Sequence, residues 1–408
     1  MTVDPLHIFA HMEETDVSSV CFVKHSRNEI ETDVLLVGFA SGNLIAWDVD
    51  TKLELWTIKS HLLDEQNHRV LSAGCSGNQV WAHLRSYGVA VWGGCLTSKP
   101  VLTGSIINDH YGFCGASVAT VDSLILMAIP RMSPPTEKRA GDVSLYSLRV
   151  PYSETDFDLT SLSLTCHLNS NPRSDAKFGM PLRLKFTTLT DAEALLMCSY
   201  ESGNLVIWLI SQCSNLGVTH AAIGNLSLSH PEPLLDFDIS IKHGFGLAVA
   251  ANVSSITRFR ICNNWTDTLS SDTSHKTNCT KELENYFRNS SLDRGRLDET
   301  ITISAHNLDP VKLGSESSSK LRCDGFTALT TRKDGRIAAV GVINGSTLIV
   351  SAKTGKPLAV LPLHRKSVQA LAFSPTRILK DKNRGESQWL LAVGGSDGRI
   401  SMWSLYND

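Results

Sequence analysis

The residues best suited by type to chemistry are His364, Asp397 and Trp403, close to the end of the chain. A histidine ahead of an apolar strand, an aspartate in a Gly-containing turn and an indole six positions later admit two readings. As a His–Asp pair they could accept and return a proton. As a buried hydrogen-bonded set they would tie neighbouring strands together, and deleting one member would leave its partner unpaired at ~1–3 kcal/mol. The second reading is favoured because other textual marks of catalysis fail. Gly38-Phe39-Ala40-Ser41-Gly42 has the wrong spacing for a nucleophile elbow, H-E-x-x-H does not occur, and Thr354-Gly355-Lys356 lacks the upstream glycine of a phosphate loop. Gly244-Phe245-Gly246 runs into Leu247-Ala248-Val249-Ala250, a strand composition and not a turn into a helix. The ten cysteines occur singly with no C-x-x-C, which argues against zinc and against a disulfide framework and suggests reduced, mostly buried thiols. No catalytic residue, metal ligand or cofactor site is therefore expected.

The elements that must position these residues repeat along the chain. Gly42, Gly203, Gly345 and Gly398 each follow an apolar run, and each is followed five positions later by a large apolar residue: Trp47, Trp208, Val350 and Trp403. That is a hairpin closing on a core-facing anchor. Three looser copies end at Trp92, Tyr146 and Phe259, giving seven units. Further apolar strands flank each hairpin, as in Val368-Gln369-Ala370-Leu371-Ala372-Phe373 and Pro357-Leu358-Ala359-Val360-Leu361. Four short strands per unit with Gly-rich turns predict an all-β, seven-bladed WD-repeat β-propeller. In such blades the His, Asp and Trp form a structural network, here His364, Asp397 and Trp403 in blade seven. Ser41, Ser202 and Asn344 replace the Asp in blades one, four and six, so the repeat is degenerate.

The chain stops just after the third strand of the last blade, while Leu6-His7-Ile8-Phe9-Ala10 has strand composition before the first full unit. Residues near 5–11 are thus expected to supply the outer strand of blade seven and close the ring. The whole of 1–408 is read as one domain and as a monomeric ring, since each blade interface is its own core. Seven blades in 408 residues average roughly 58 each, above the ~40–45 of a lean blade, so insertions are required. The largest is the polar 263–298 stretch in blade five, after which 300–303 reads as a strand; 130–141 and 305–324 are smaller loop insertions.

Formal net charge is −3 and the basic residues do not cluster, which disfavours a nucleic-acid partner. No apolar run reaches ~18 residues and the N-terminus lacks a secretory pattern, so a protein of the cytoplasm or nucleus with no membrane partner is expected.

Asp175-Ala176-Lys177-Phe178-Gly179-Met180-Pro181, the run from Leu358 to Phe373 and the ending Asp397 to Tyr406 resemble the guanine-nucleotide-binding-protein β-subunit-like protein 1 family, whose fungal relatives are called ASTRA-associated protein 1. The long polar insert in blade five departs from that family's shorter connection. The resemblance implies a non-catalytic adaptor working with the Triple-T co-chaperone complex in maturing phosphatidylinositol-3-kinase-related protein kinases, with links to DNA-damage signalling and chromatin. No G-protein γ subunit is expected, because no long N-terminal helix precedes the first strand. Lys177, Phe178, Gly179, Met180 and Pro181 lie where hairpin-entry loops gather, and an apolar knuckle beside a lysine suits an interface anchor; packing of Phe178 and Met180 under a neighbouring blade is the competing reading. A cullin ubiquitin-ligase substrate receptor is the alternative employment, weakened because neither Trp47-Asp48-Val49-Asp50 nor Trp403-Ser404-Leu405-Tyr406 carries Trp-Asp-x-Arg.

Overall fold

The structure, a computed structural model, describes residues 4–11, 16–27, 30–59, 68–94, 96–108, 110, 112–121, 123–131, 142–150, 158–169, 178–213, 217–227, 232–240, 245–251, 256–260, 306–308, 325–381 and 386–406. The expected insertion 263–298, the expected strand 300–303 and nearly all of the 130–141 and 305–324 loops lie outside these residues.

Seven four-stranded antiparallel sheets follow one another along the chain. Blade 1 is Val17–Arg27, Ile30–Phe39, Leu44–Asp48 and Glu54–Ile58; blade 2 is Val70–Ser76, Gln79–Leu84, Gly88–Gly93 and Val101–Ile107. Blade 3 is Ser117–Val121, Leu124–Pro130, Val143–Arg149 and Ser163–Leu168; blade 4 is Pro181–Thr190, Glu193–Tyr200, Asn204–Cys213 and Gly217–Ser227. Blade 5 is Leu234–Ser240, Phe245–Ala250, Ile256–Arg260 and His306–Leu308, the last falling inside the segment expected to be loop. Blade 6 is Phe326–Thr331, Ile337–Val342, Thr347–Ser351 and Pro357–Leu361. Blade 7 takes Val368–Phe373, Leu390–Gly395 and Arg399–Ser404 from one end of the chain and His7–Ala10 from the other. The closing strand pairs His7 with Met402 and Ala10 with Arg399, as the N-terminal composition predicts. An additional hairpin, Ile378–Asp381 with Glu386–Gln388, rises between the first two strands of blade 7 and was not expected.

Every hydrophobic cluster spans two consecutive blades, and together they run round the whole ring. Phe9, Trp47 and Met402 join blades 7 and 1, Trp56 and Trp92 join 1 and 2, and Trp403 with Leu361 joins 6 and 7. The second strands are sandwiched on both faces, so Gln79–Leu84, Leu124–Pro130, Glu193–Tyr200, Phe245–Ala250, Ile337–Val342 and Leu390–Gly395 are buried along their whole length. That is why these strands read as continuous apolar runs and not as alternation. First strands of neighbouring blades lie against each other and line the centre. Close approach there requires glycine: a Cβ on Gly38, Gly341 or Gly394 would meet Val70, Val368 or Val17 of the adjoining blade. In six blades the register slips at the second residue of the first strand, as between Val17 and Ser19 or Val368 and Ala370. The hydroxyls of Ser18 and Thr327, freed by that slip, donate to the carbonyls of Val70 (2.6 Å) and Val368 (2.5 Å) in the next blade.

No helix among the described residues is long and apolar enough to cross a membrane. Of the described cysteines, Cys114 and Cys198 are buried and Cys21, Cys75 and Cys166 are half-buried, all as free thiols, so burial is less general than expected.

Candidate functional site

Blade 7 holds its polar residues in a single line. His364 Nδ1 lies 2.9 Å from Asp397 Oδ1, His364 Nε2 lies 3.0 Å from Ser401 Oγ, and the Trp403 indole N–H donates to the same Oγ at 2.8 Å. With the carboxylate accepting, the Nδ1 carries the proton and Nε2 must accept from the serine hydroxyl; every donor then has one acceptor. Asp397 also accepts from the Arg365 and Arg399 amides at 3.0 and 3.3 Å. Burial by itself would raise the Asp397 carboxyl, but the Arg365 amide and the His364 imidazole outweigh it and hold the group below its ordinary value. Gly395 is needed here, since a Cβ would strike the His364 ring and the Asp397 carboxylate. Gly345 of blade 6, at φ 90°, lets the adjoining turn sit against the His364 backbone.

Ser401 was not singled out from the sequence, although period two places it on the same strand face as Trp403. With it the line becomes Asp–His–Ser, the order of groups in a hydrolytic triad. Access decides against that use: Ser401 is 0% exposed, and its oxygen is already the acceptor of an indole N–H. The network serves to lock the connection before Val368 onto the turn after Gly395.

Elsewhere the substitutes make local bonds: Ser41 accepts from the Asn43 amide and Asn344 from the Ser346 amide, both inside their own turns, and Ser202 accepts from the Asn204 side-chain amide. Blade 4 replaces the tie with Glu201, whose carboxylate accepts from the Met180 amide at 2.9 Å.

That contact fixes the segment expected as an interface knuckle. Lys177 lies outside the described residues. Phe178 is half-buried, edge-on to Tyr200 with ring centroids 5.8 Å apart, and packs on the core between blades 3 and 4. Gly179 is exposed at φ 84°, Met180 is half-buried, and Pro181 is buried as the first residue of its strand. The structure therefore does not present Phe178, Met180 and Pro181 as one exposed apolar patch; Phe178 follows the packing reading.

A second polar constellation lies on the central strands and was missed. Asp236 of blade 5 faces Arg183 and Lys185 of blade 4, each at 3.3 Å, and accepts the Leu329 amide of blade 6 at 2.9 Å. Asp238 accepts the Thr331 amide at 2.7 Å and lies 3.7 Å from Lys185. The signal that could have found them is Arg-x-Lys and Asp-x-Asp at period two, which puts each pair on one face of its strand. These bonds join three blades. Among the described residues no group of three His, Cys, Asp or Glu could hold a metal ion.

Comparison with known proteins agrees with this architecture. Residues 355–404 match the family described as WD domain, G-beta repeat, which is the region of blade 7 and its network. The chain is 23% identical over 378 residues to guanine nucleotide-binding protein subunit beta-like protein 1 of Mus musculus, covering 91% of this chain and 88% of that protein. It is 20% identical to ASTRA-associated protein 1 of Penicillium rubens (91% and 92% covered) and 21% identical to that of Schizosaccharomyces japonicus (96% of each). Among solved structures it resembles the β-propeller domain of Myceliophteria thermophila Cps50 (Swd1), with TM-score 0.58, 14% identity and 98% and 100% coverage. Saccharomyces cerevisiae Sqt1 gives TM-score 0.57 at 11% identity, covering 99% and 100%. The structural likenesses establish the fold alone.

Proposed function

We propose that this WD-repeat propeller is a non-catalytic scaffold of the ASTRA-associated kind, acting in cytoplasm and nucleus with the Triple-T co-chaperone complex while phosphatidylinositol-3-kinase-related kinases mature. The observation that carries the reading is the length of the likeness: relatives bearing the ASTRA-associated name align over nine-tenths or more of both chains, well beyond the single repeat in blade 7. The physical basis is a rigid ring whose loops can differ without disturbing its cores. The Asp–His–Ser line of blade 7 is closed to substrate, which supports recognition over reaction.

Affinity purification of the full chain from its own cells, followed by mass spectrometry, tests this. Co-chaperone subunits and kinase clients are expected among the recovered proteins, and depletion of the chain should lower kinase abundance. Recovery of a cullin adaptor in their place, or unchanged kinase levels on depletion, would overturn the assignment.

A further inference from the structure

Each blade has an outer strand with one edge unpaired, and proteins blunt such edges with charge, proline or brevity. His7–Ala10, Ser163–Leu168, Gly217–Ser227 and His306–Leu308 each carry a histidine, Glu54–Ile58 opens with a glutamate and Pro357–Leu361 with a proline. The outer strand of blade 2, Val101–Ile107, has no charged residue, histidine or proline, and its Val101, Leu102 and Ile107 are 72%, 44% and 65% exposed. Among the described residues no hydrogen bond reaches this strand from outside blade 2.

The strand is held firmly from behind. Thr103 Oγ1 donates to the Val91 carbonyl at 3.0 Å, and on the face that Gly104 shares with Val91 the strand lies against the Leu159–Ser161 turn of blade 3, so close that a Cβ on Gly104 would meet Thr160. An edge already ordered costs little entropy to use. A bulge sets which residues share a face. Leu102 pairs with Trp92 and Ile107 with Gly88, four residues apart on the neighbouring strand, so Leu102 and Ile107 stand on one face although five positions separate them; Thr103 is the extra residue.

This edge is its own complement, which commits the occupant to a second copy. A two-fold axis at Ser105 lays the strand antiparallel against its twin, with Leu102 opposite the second copy's Ile107, Ile107 opposite its Leu102, and each bulge opposite an Ile106. Because Val101–Ile107 carries no charge, the symmetry sets no charge against itself. Such a contact uses up both edges and stops at two. We propose that the protein pairs with a second copy of itself through the Val101–Ile107 edge of blade 2, joining two four-stranded sheets into one continuous sheet. The monomeric ring expected from the repeat is then half of the assembly, and the inference stands apart from the scaffold reading.

Sedimentation equilibrium of the full chain over a wide range of concentration tests it, and a monomer–dimer equilibrium is expected. Leu102→Lys combined with Ile107→Lys sets lysine against lysine across the axis and should weaken association at least tenfold. Leu102→Lys combined with Ile107→Glu sets lysine against glutamate and should associate at least tenfold more tightly than the double-lysine protein, a rescue that shrinks with salt. Melting temperatures of the dilute proteins should match the parent's, since both altered side chains are exposed. The mass of a single ring at every concentration would overturn the pairing, as would a dimer that the lysine pair leaves intact or that the lysine–glutamate pair fails to rescue. None of these results alters which proteins an affinity purification recovers, so the scaffold reading stands or falls on that separate experiment.

Discussion

Ser401 receives the Trp403 indole proton and gives its own to His364, so its oxygen is the joint on which the blade 7 network turns. Ser401→Ala should leave a buried indole N–H and imidazole nitrogen without partners and cost about 1–3 kcal/mol. An unfolding midpoint in urea equal to the parent's would show that the network adds nothing. A second residue-level expectation concerns His83 and His110, buried between blades 2 and 3 with ring centroids 6.1 Å apart. His83 Nδ1 accepts the Ala116 amide at 3.0 Å, which fixes the neutral ring. Burial first, and His110 second, take His83 down to about 3; burial, then Arg85, take His110 down to about 4. The unfolded chain therefore binds protons that the folded chain refuses between its ordinary histidine value and these. Stability from both groups is complete above about pH 6.5 and is lost as pH falls toward 4 and then 3, by about 1.4 kcal/mol per pH unit for each histidine. Comparing urea midpoints at pH 7 and pH 5 should show a clear loss in the parent and a smaller one in His83→Gln with His110→Asn. Equal losses would sink this account.

Among elements, the closing strand His7–Ala10 is anchored by Phe9, which inserts between blades 7 and 1 against Trp47 with centroids 5.5 Å apart. Phe9→Ala should cost about 3–5 kcal/mol. Removing residues 1–11 bares the edge of Arg399–Ser404 and should shift the protein toward higher-mass species on size-exclusion chromatography; an unchanged elution volume with an unchanged melting point would contradict the role of the strand. At the opposite end of blade 7, buried Arg332 donates to the carbonyls of Leu405 (2.9 Å) and Tyr406 (2.8 Å) while forked on Asp334. The closing strand was legible because an unpaired third strand and a surplus strand stood at opposite ends of one chain. The Arg332 clamp was not legible: its acceptors are backbone groups more than seventy residues away, which side-chain spacing does not encode. Nor was the Ile378–Gln388 hairpin, whose mixed polar residues lack the apolar run that marks blade strands.

At the scale of the whole molecule the ring is held by seven inter-blade cores and by polar ties across its centre. Asp236 ties blade 5 to blades 4 and 6. Asp236→Ala should leave the Leu329 amide without its acceptor and Lys185 with Asp238 as its remaining carboxylate, at a cost of about 1–3 kcal/mol read as a lowered calorimetric midpoint; a shift below experimental error would mean the carboxylate is dispensable. Sequence alone determined the repeat, the number of blades, the closure and the members His364, Asp397 and Trp403, because period and turn chemistry are local properties written every few residues. Tertiary structure alone decided that Ser401 completes the line and is closed to solvent, and that Phe178 packs edge-on against Tyr200. Those outcomes depend on which side chains the curvature of the ring brings face to face, and distance along the chain carries no record of that.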